Sequence, residues 1–348
     1  MARSYLVGRT QRVRRGATIS SAVHLVCGVP RGSVIGPILF VLYTADLIAL
    51  VKSYGLSPHL YADDTQIYGS CYPSHVDMFL SVVTNCANAV ADWMRSNRLQ
   101  LNSDKTEFMW CATVRRQHCL PTVGPLIGSS TVTLSSAVRN LGVYIDSGLT
   151  MQSHVRQTVS RCFAVLRQLR TVRRQVPTSV FQSLIVALVL SRLDYCNSVL
   201  FGLPANLIQR LQSVQNAAAR LTFRIRRSEH ITPALISLHW LRVPERISFR
   251  LAVMTYRSIH GTSPSYLQSC FSRVSDMTSR RWLRSSTSHR LDVPPVRLST
   301  VGKRVPPSGT TCLSTSHLRR HSRFSDNDSR PFCFPVPTKT LSYDSCVA

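Results

Sequence analysis

Carboxylates are scarce in this 348-residue chain, where 16 Asp and Glu stand against 42 Lys and Arg. None precedes Asp46, so nothing upstream of that residue can act as a carboxylate base or metal ligand. Lysine is scarcer still, with Lys52, Lys105, Lys303 and Lys339 the only four, so the basic charge is almost all arginine. Eleven cysteines include no C-x-x-C, the closest pair being Cys111 and Cys119, which excludes a zinc ribbon and gives no spacing of a disulfide framework. A reducing compartment fits that usage. No N-terminal stretch has the build of a signal peptide, and the longest unbroken apolar run, Leu184 to Leu190, falls well short of the ~18 residues of a membrane span. The expectation is a soluble, intracellular protein of the nucleus or cytoplasm with no membrane partner.

What the chain does have is length for two or three domains and 44% hydrophobic residues to fill their cores. Its net charge of +26 divides at residues 60, 149 and 260 into +6, −1, +13 and +8. Guanidinium forks match phosphate oxygens and stay charged at any physiological pH, so this balance points to nucleic acid. The weakly acidic segment alternates like strands at Leu56–Tyr61, Thr65–Tyr68, Thr106–Ala112 and Val138–Ile145. Between them Met78, Phe79, Val82, Val83, Cys86, Ala89, Val90, Trp93 and Met94 recur at helical spacing. From about Met151 the pattern is helical, with Val155, Val159, Cys162, Phe163, Leu166 and Leu169 on one stripe. At 100° per residue Arg156, Arg167, Arg170 and Arg174 share a sector beside that stripe, an arginine ridge suited to a nucleic-acid backbone. Further helices are expected from Pro177 to Leu193, Leu207 to Leu221, and Glu245 to His260 before Gly261. The expected fold class is α+β, with residues 1–150 mixed, 151–271 helical, and 272–348 a basic, Pro/Ser-rich and poorly ordered tail.

Two short stretches carry the chemistry. Glycines at 28, 32 and 36 in Gly28-Val29-Pro30-Arg31-Gly32-Ser33-Val34-Ile35-Gly36-Pro37 let backbone approach a ligand, although the spacing is neither a Walker nor a Rossmann loop. Behind an apolar run from Ile38 to Tyr43 follows Tyr61-Ala62-Asp63-Asp64, where two strands meet at a tight turn. Adjacent carboxylates at a turn tip offer oxygens to hard divalent ions; equally, Asp is common in solvated turns for its local hydrogen bonds. Ser33, Cys27 and the histidines at 24, 59, 230 and 239 form no nucleophile signature, and Trp240 and Trp282 read as packing residues.

In combination these stretches resemble the palm of reverse transcriptases of LINE-type, jockey-like non-LTR retrotransposons. The resemblance runs from Ser4-Tyr5-Leu6 and Arg9-Thr10-Gln11 through Trp93-Met94, Asn97-Arg98-Leu99 and Leu101-Asn102-Ser103-Asp104-Lys105-Thr106 to Asn140-Leu141-Gly142-Val143. It continues at Ser191-Arg192-Leu193-Asp194-Tyr195, Asn216-Ala217-Ala218-Ala219-Arg220 and Leu238-His239-Trp240-Leu241. The resemblance implies that Gly28, Pro30, Arg31, Gly32, Ser33 and Tyr61 touch template or incoming nucleotide, and that Asp63 and Asp64 bind Mg²⁺, or Mn²⁺ in its place. Lys105 would lie by the triphosphate as a catalytic residue, Leu141-Gly142 would form a primer-grip hairpin, and the helices after Met151 a thumb. The implied partners are an RNA template, a DNA primer and deoxynucleoside triphosphates.

Two departures stand out. Arg31 replaces the family's usual Gln, a permanent cation for a neutral group. The family's first aspartate, on a strand before the glycine loop, has no counterpart. The chain therefore reads as the C-terminal portion of such a polymerase, truncated, inactive alone, and completed by an upstream retrotransposon segment. The alternative reading is a non-catalytic, arginine-rich nucleic-acid-binding remnant.

Overall fold

The computed structural model describes residues 7–25 and 33–271 together with the backbone of residues 332–335. The chain divides into two compact units, one of residues 1–138 with 331–348 and one of residues 139–330. The division falls inside a strand, earlier than the composition change near residue 150 suggests.

The first unit opens with four exposed two-residue strands: β1 (Thr10–Gln11) pairs antiparallel with β4 (Val23–His24), and β2 (Arg14–Arg15) with β3 (Thr18–Ile19). Helices α1 (Gly36–Tyr43) and α2 (Asp46–Ser53) follow, broken at Thr44–Ala45. Together they reach the length and apolarity of a membrane-crossing helix, with mean hydropathy 1.5, because Gly36, Pro37 and Thr44 interrupt the apolar run without making it polar. Phe40, Leu47 and Val51 are buried, whereas Ile38, Val41 and Leu42 are exposed.

Strands β5 (Ser57–Tyr61) and β6 (Asp64–Ser70) form the expected hairpin in register from Tyr61↔Asp64 to Ser57↔Tyr68. Helix α3 (Val76–Ser96) packs on the sheet through Val76, Val83, Cys86, Val90 and Met94, as its periodicity predicts; Met78, at the margin of the stripe, is exposed. Gly69 makes this approach possible, since a Cβ there would come within 2.7 Å of both Leu56 Cδ2 and Phe79 Cζ. Strand β7 (Phe108–Cys111) is buried at all four residues, the pattern of a strand covered on both faces, and Phe108 meets Trp110 edge-on with ring centroids 5.2 Å apart. Two short strands, β8 (Leu126–Ile127) and β9 (Ser130–Thr131), pair beyond it. The main sheet has the order β5-β6-β12-β7, in which β12 is Phe332–Pro335. Those four residues thus form a strand within the segment expected to be disordered; the rest of that segment, 272–331 and 336–348, lies outside the described residues.

Val138–Ile145, one strand by its β-branched pattern and a turn at Leu141-Gly142 by the resemblance, is a hairpin of β10 (Ala137–Asn140) and β11 (Val143–Asp146), turned at Leu141 and Gly142. Both turn residues have positive φ, 42° and 86°, as a two-residue turn matched to strand twist requires.

In the second unit α4 (Gln152–Val172) buries Val155, Cys162, Leu166 and Leu169. The run begun at Pro177 is α5 (Thr178–Ile185), a π-helical turn Val186–Leu190 and α6 (Ser191–Asp194), and it is followed by α7 (Ala205–Phe223). Next come α8 (Thr232–Ser237), α9 (Val243–Ile259) and α10 (Ser265–Gln268), of which α8 and α10 are too short for periodicity to reveal. Phe181, Ile185, Val189, Leu211, Val214 and Ala218 fill the core between α4 and α7. Gln215, also fully buried, donates to the Leu241 carbonyl at 2.8 Å and accepts from Gln212 Nε2 at 2.9 Å. Trp240 packs against the same core, as expected of it; Trp282 lies outside the described residues. Cys71, Cys86, Cys119, Cys162 and Cys196 are free, and burial pushes the thiols of Cys71, Cys86 and Cys162 up to about 11, which disfavours the reactive thiolate.

Among the described residues Arg173 is the buried exception among the arginines. Its guanidinium donates to the Leu221 carbonyl at 3.2 Å, the Thr222 carbonyl at 2.6 Å and Thr178 Oγ1 at 3.2 Å, and lies 4.8 Å from the Phe181 ring centroid. It thereby satisfies carbonyls of the last turn of α7, which would otherwise be buried without a donor. Arg173→Met should cost roughly 2–4 kcal/mol in urea unfolding, because the acceptors lose a charged donor, whereas exposed Arg174→Met should change stability by less than about 0.5 kcal/mol.

Candidate active site at the β5–β6 turn

The hairpin register fixes where the two carboxylates lie. Tyr61 ends β5 and pairs with Asp64, the first residue of β6, leaving Ala62 and Asp63 as the two turn residues. Ala62 takes φ 52° while Asp63 is not among the positive-φ residues, so the left-handed position is held by an alanine where glycine would be unstrained. Asp63 and Asp64 are both half-buried, Tyr61 is exposed, and Thr65 is buried directly beneath the turn. The structure thus brings Asp63 and Asp64 to one tip. Among the described residues, no group of three or more His, Cys, Asp or Glu side chains is placed to hold a metal.

Lys105 is the last residue of a 3-10 turn, Ser103–Lys105, whose start is capped by the Asn102 side chain accepting from the Lys105 amide at 3.2 Å. Its neighbours Thr106 and Glu107 line an apolar cavity of about 50 Å³ together with Thr65, the residue after Asp64. Glu107 accepts a hydrogen bond from Ser135 Oγ at 3.4 Å. Ser33 has a local role: its Oγ accepts the Gly36 amide at 2.9 Å, at the start of α1. Gly28, Pro30, Arg31 and Gly32 lie outside the described residues.

In the second unit the stretches that carried the resemblance meet one another. Tyr195 donates from its hydroxyl to the Leu141 carbonyl at 2.6 Å, and its ring would stand 3.0 Å from a Cβ on Gly142. Asp194, beside it, is held by a two-pronged ion pair with Arg246 Nε at 2.7 Å and Nη2. The hairpin at Leu141–Gly142 is therefore braced from a position 54 residues away. Nothing in the local sequence assigns Tyr195 this role, since only the fold brings it to the turn.

Arg156, Arg167 and Arg170 are exposed on α4, and Arg174 is exposed in the turn just beyond its end rather than on the helix. Arg161, at a different angle on the same helix, donates to the Tyr144 hydroxyl at 2.6 Å, and its guanidinium lies 5.4 Å from that ring. Beneath this pair His154 is buried and its Nδ1 accepts the Tyr144 amide at 3.3 Å. Burial, and then the positive charge of Arg161, lowers the His154 pKa from its ordinary 6.5. A lowered folded pKa means that the unfolded chain takes up the proton first. Stability should therefore hold above about pH 6.5 and fall on acidification toward the folded pKa. Chemical denaturation from pH 8 to pH 5 should show that loss in the parent and a smaller one in His154→Gln, whose amide can accept without titrating.

Residues 2–145 match the reverse transcriptase (RNA-dependent DNA polymerase) family model. Residues 2–145 are thus a segment similar to reverse transcriptases, and the relatives with which the chain aligns include polymerases of transposons and mobile elements. It is 30% identical over 227 residues to a probable RNA-directed DNA polymerase from transposon X-element of Drosophila melanogaster, covering 63% of this chain and 24% of that protein. Similar matches are a probable RNA-directed DNA polymerase from transposon BS of the same species, 27% identical over 195 residues, and that of mobile element jockey of Drosophila funebris, 27% over 161. These two alignments cover 52% and 44% of this chain and 20% and 17% of those proteins. The chain spans about a quarter or less of the length of these relatives. No solved structure matches it significantly.

Proposed function

We propose that the chain is the palm-to-thumb portion of an RNA-directed DNA polymerase of a non-LTR retrotransposon, and that by itself it binds nucleic acid without synthesising DNA. The observation that carries this is the Asp63–Asp64 pair at a hairpin tip inside the segment that matches the reverse transcriptase family. Two adjacent carboxylates fit one hard divalent ion, Mg²⁺ or Mn²⁺; with no third carboxylate joining them among the described residues, they do not fit the two-ion arrangement of template-directed phosphoryl transfer. A bound ion would supply charge to neutralise phosphate oxygens. Tyr61, Lys105, Ser33 and the glycine loop from Gly28 to Gly32, with Pro30 and Arg31, are the residues proposed to meet template, primer end and nucleotide. An ammonium at Lys105 can attract a triphosphate but cannot replace a metal-binding oxygen.

Titration with Mn²⁺ followed by electron paramagnetic resonance should find one bound ion per chain in the parent and none in Asp63→Asn/Asp64→Asn, with the fold of both unchanged by circular dichroism. Equal binding by the two would remove the turn as the metal site. The non-catalytic reading is favoured by one observation of its own, the exposed Arg156, Arg167 and Arg170 on a single helix, and needs no metal.

A further inference from the structure

The two sides of α9 have opposite surroundings. Val243 and Ile247 join the core of the second unit, and Thr255 and Ser258 are buried on the same side. At 100° per residue Phe249, Val253, Tyr256 and His260 fall within about 60° of one another on the other side. Phe249 and Tyr256 are 62% and 64% exposed there. Arg250 and Arg257, both exposed, lie together along one edge of that stripe. No Asp or Glu occurs between Glu245 and Asp276, and among the described residues neither arginine is in an ion pair. The face is thus aromatic and cationic at once, and it lies outside residues 2–145, the segment that matches the reverse transcriptase family.

The end of the helix shapes a hollow beside Tyr256. Gly261 turns the chain with φ 71°, and Thr262 donates to the Arg257 carbonyl from its amide at 2.9 Å and from its hydroxyl at 3.2 Å. The hollow, open to solvent, has a volume of about 680 Å³ and is lined by Ala252, Val253, Tyr256, Arg257 and Thr262. That volume lies within the roughly 300–1,000 Å³ of ligand sites. His260 backs the ring of Tyr256, with centroids 4.1 Å apart and planes at 41°. An aromatic ring at the wall of a hollow, beside a guanidinium, can stack a base and pair with its phosphate. Phe249 lies two helical turns away, roughly 10 Å at 1.5 Å per residue, and offers a second ring on the same line. Two rings in a row beside two arginines suit a strand of successive bases. A duplex keeps its bases stacked on one another and has no faces to offer.

We infer that the outer face of α9 is a stacking platform for an unpaired nucleic-acid strand, on which Tyr256 and Phe249 take bases while Arg250 and Arg257 take phosphates. This deepens the proposed nucleic-acid binding and rests on it, but through a different surface and a different chemistry from the exposed arginines of α4. Those arginines meet the phosphates of any strand. The platform selects bases that are free to stack.

The test uses the full chain with fluorescein-labelled dodecamers of oligouridylate RNA and oligothymidylate DNA, and a DNA duplex of the same length. Tyr256→Leu/Phe249→Leu should weaken binding of both single strands at least tenfold, by anisotropy, and leave duplex affinity unchanged within about twofold. Tyr256→Phe, which keeps the ring, should bind as the parent does. Arg250→Gln/Arg257→Gln should flatten the salt dependence on single strands by about 1.4, at ~0.7 for each phosphate. As a second measurement, a central 2-aminopurine in each single strand should lose emission on binding the parent or the variant lacking Arg156, Arg167, Arg170 and Arg174, and keep it with the double leucine variant. The replaced side chains are exposed, so circular dichroism and thermal melting should match the parent. Equal losses on single strands and duplex, or emission lost with the double leucine variant as well, would overturn the platform and leave nucleic-acid binding standing. Absence of binding to any strand would overturn both. Parent self-association that the double leucine variant loses, by sedimentation velocity, would show a second copy on this face and overturn the platform too.

Discussion

Primer extension by this chain alone should stay at background with Mg²⁺ or Mn²⁺ on an RNA template, at least three orders of magnitude below a chain completed by an upstream segment bearing the missing aspartate strand. The two carboxylates at the β5–β6 turn can hold one ion, and no third metal-binding side chain joins them among the described residues. Preorganised charge at a reacting centre typically supplies several kcal/mol of transition-state stabilisation, and each ~1.4 kcal/mol lost is tenfold in rate. Asp63→Asn/Asp64→Asn should leave the chain alone at the same background and abolish synthesis by the completed one. Clear synthesis by the chain alone, lost in that double variant, would mean that another carboxylate completes the site. Glu107, which shares a cavity with Thr65, would then be the first residue to replace.

The second large effect concerns salt. Replacing Arg156, Arg167, Arg170 and Arg174 together by glutamine should flatten the dependence of log K on log salt by about 3.6 on duplex DNA and about 2.8 on single strands, if each contacts one phosphate. Over a fourfold change in salt the duplex figure corresponds to about a hundredfold in affinity. The four are exposed, so the variant should fold normally. Arg161 and Arg173 are poor choices for such a variant, because one is bound to Tyr144 and the other ties α5 to α7. Filter binding from 50 to 200 mM salt would measure the slope, and an unchanged one would take this ridge out of the binding surface.

Charge alone makes Arg173 and Arg174 equivalent, yet one is buried under three acceptors and the other is exposed. A rotation of 100° per residue separates neighbours into different surroundings, and what those surroundings are depends on where α7 ends. The same limit applied to Val138–Ile145, where the β-branched pattern alone gave a strand; the turn came only from the resemblance, and positive φ at Leu141 and Gly142 makes it. Short helices such as Thr232–Ser237 left no periodic signal because they are shorter than two helical turns.

By itself the sequence determined the α+β class, the helix over Val76–Ser96, the apolar stripe of α4, the Asp63–Asp64 turn between paired strands and the reverse-transcriptase kinship. Each of these is written in local spacing or in contiguous motifs, which survive without knowledge of partners. Only the tertiary structure decided that Tyr195 braces the Leu141 turn, that Asp194 pairs with Arg246, that His154 is buried beneath Tyr144, and that Phe332–Pro335 lies between β6 and β7. Of these, the Tyr195 and Asp194 contacts join positions more than 50 residues apart, and β12 joins positions farther apart still. Periodicity specifies which face of an element is apolar but not which other element will cover it, so such pairings are settled only when the chain closes on itself.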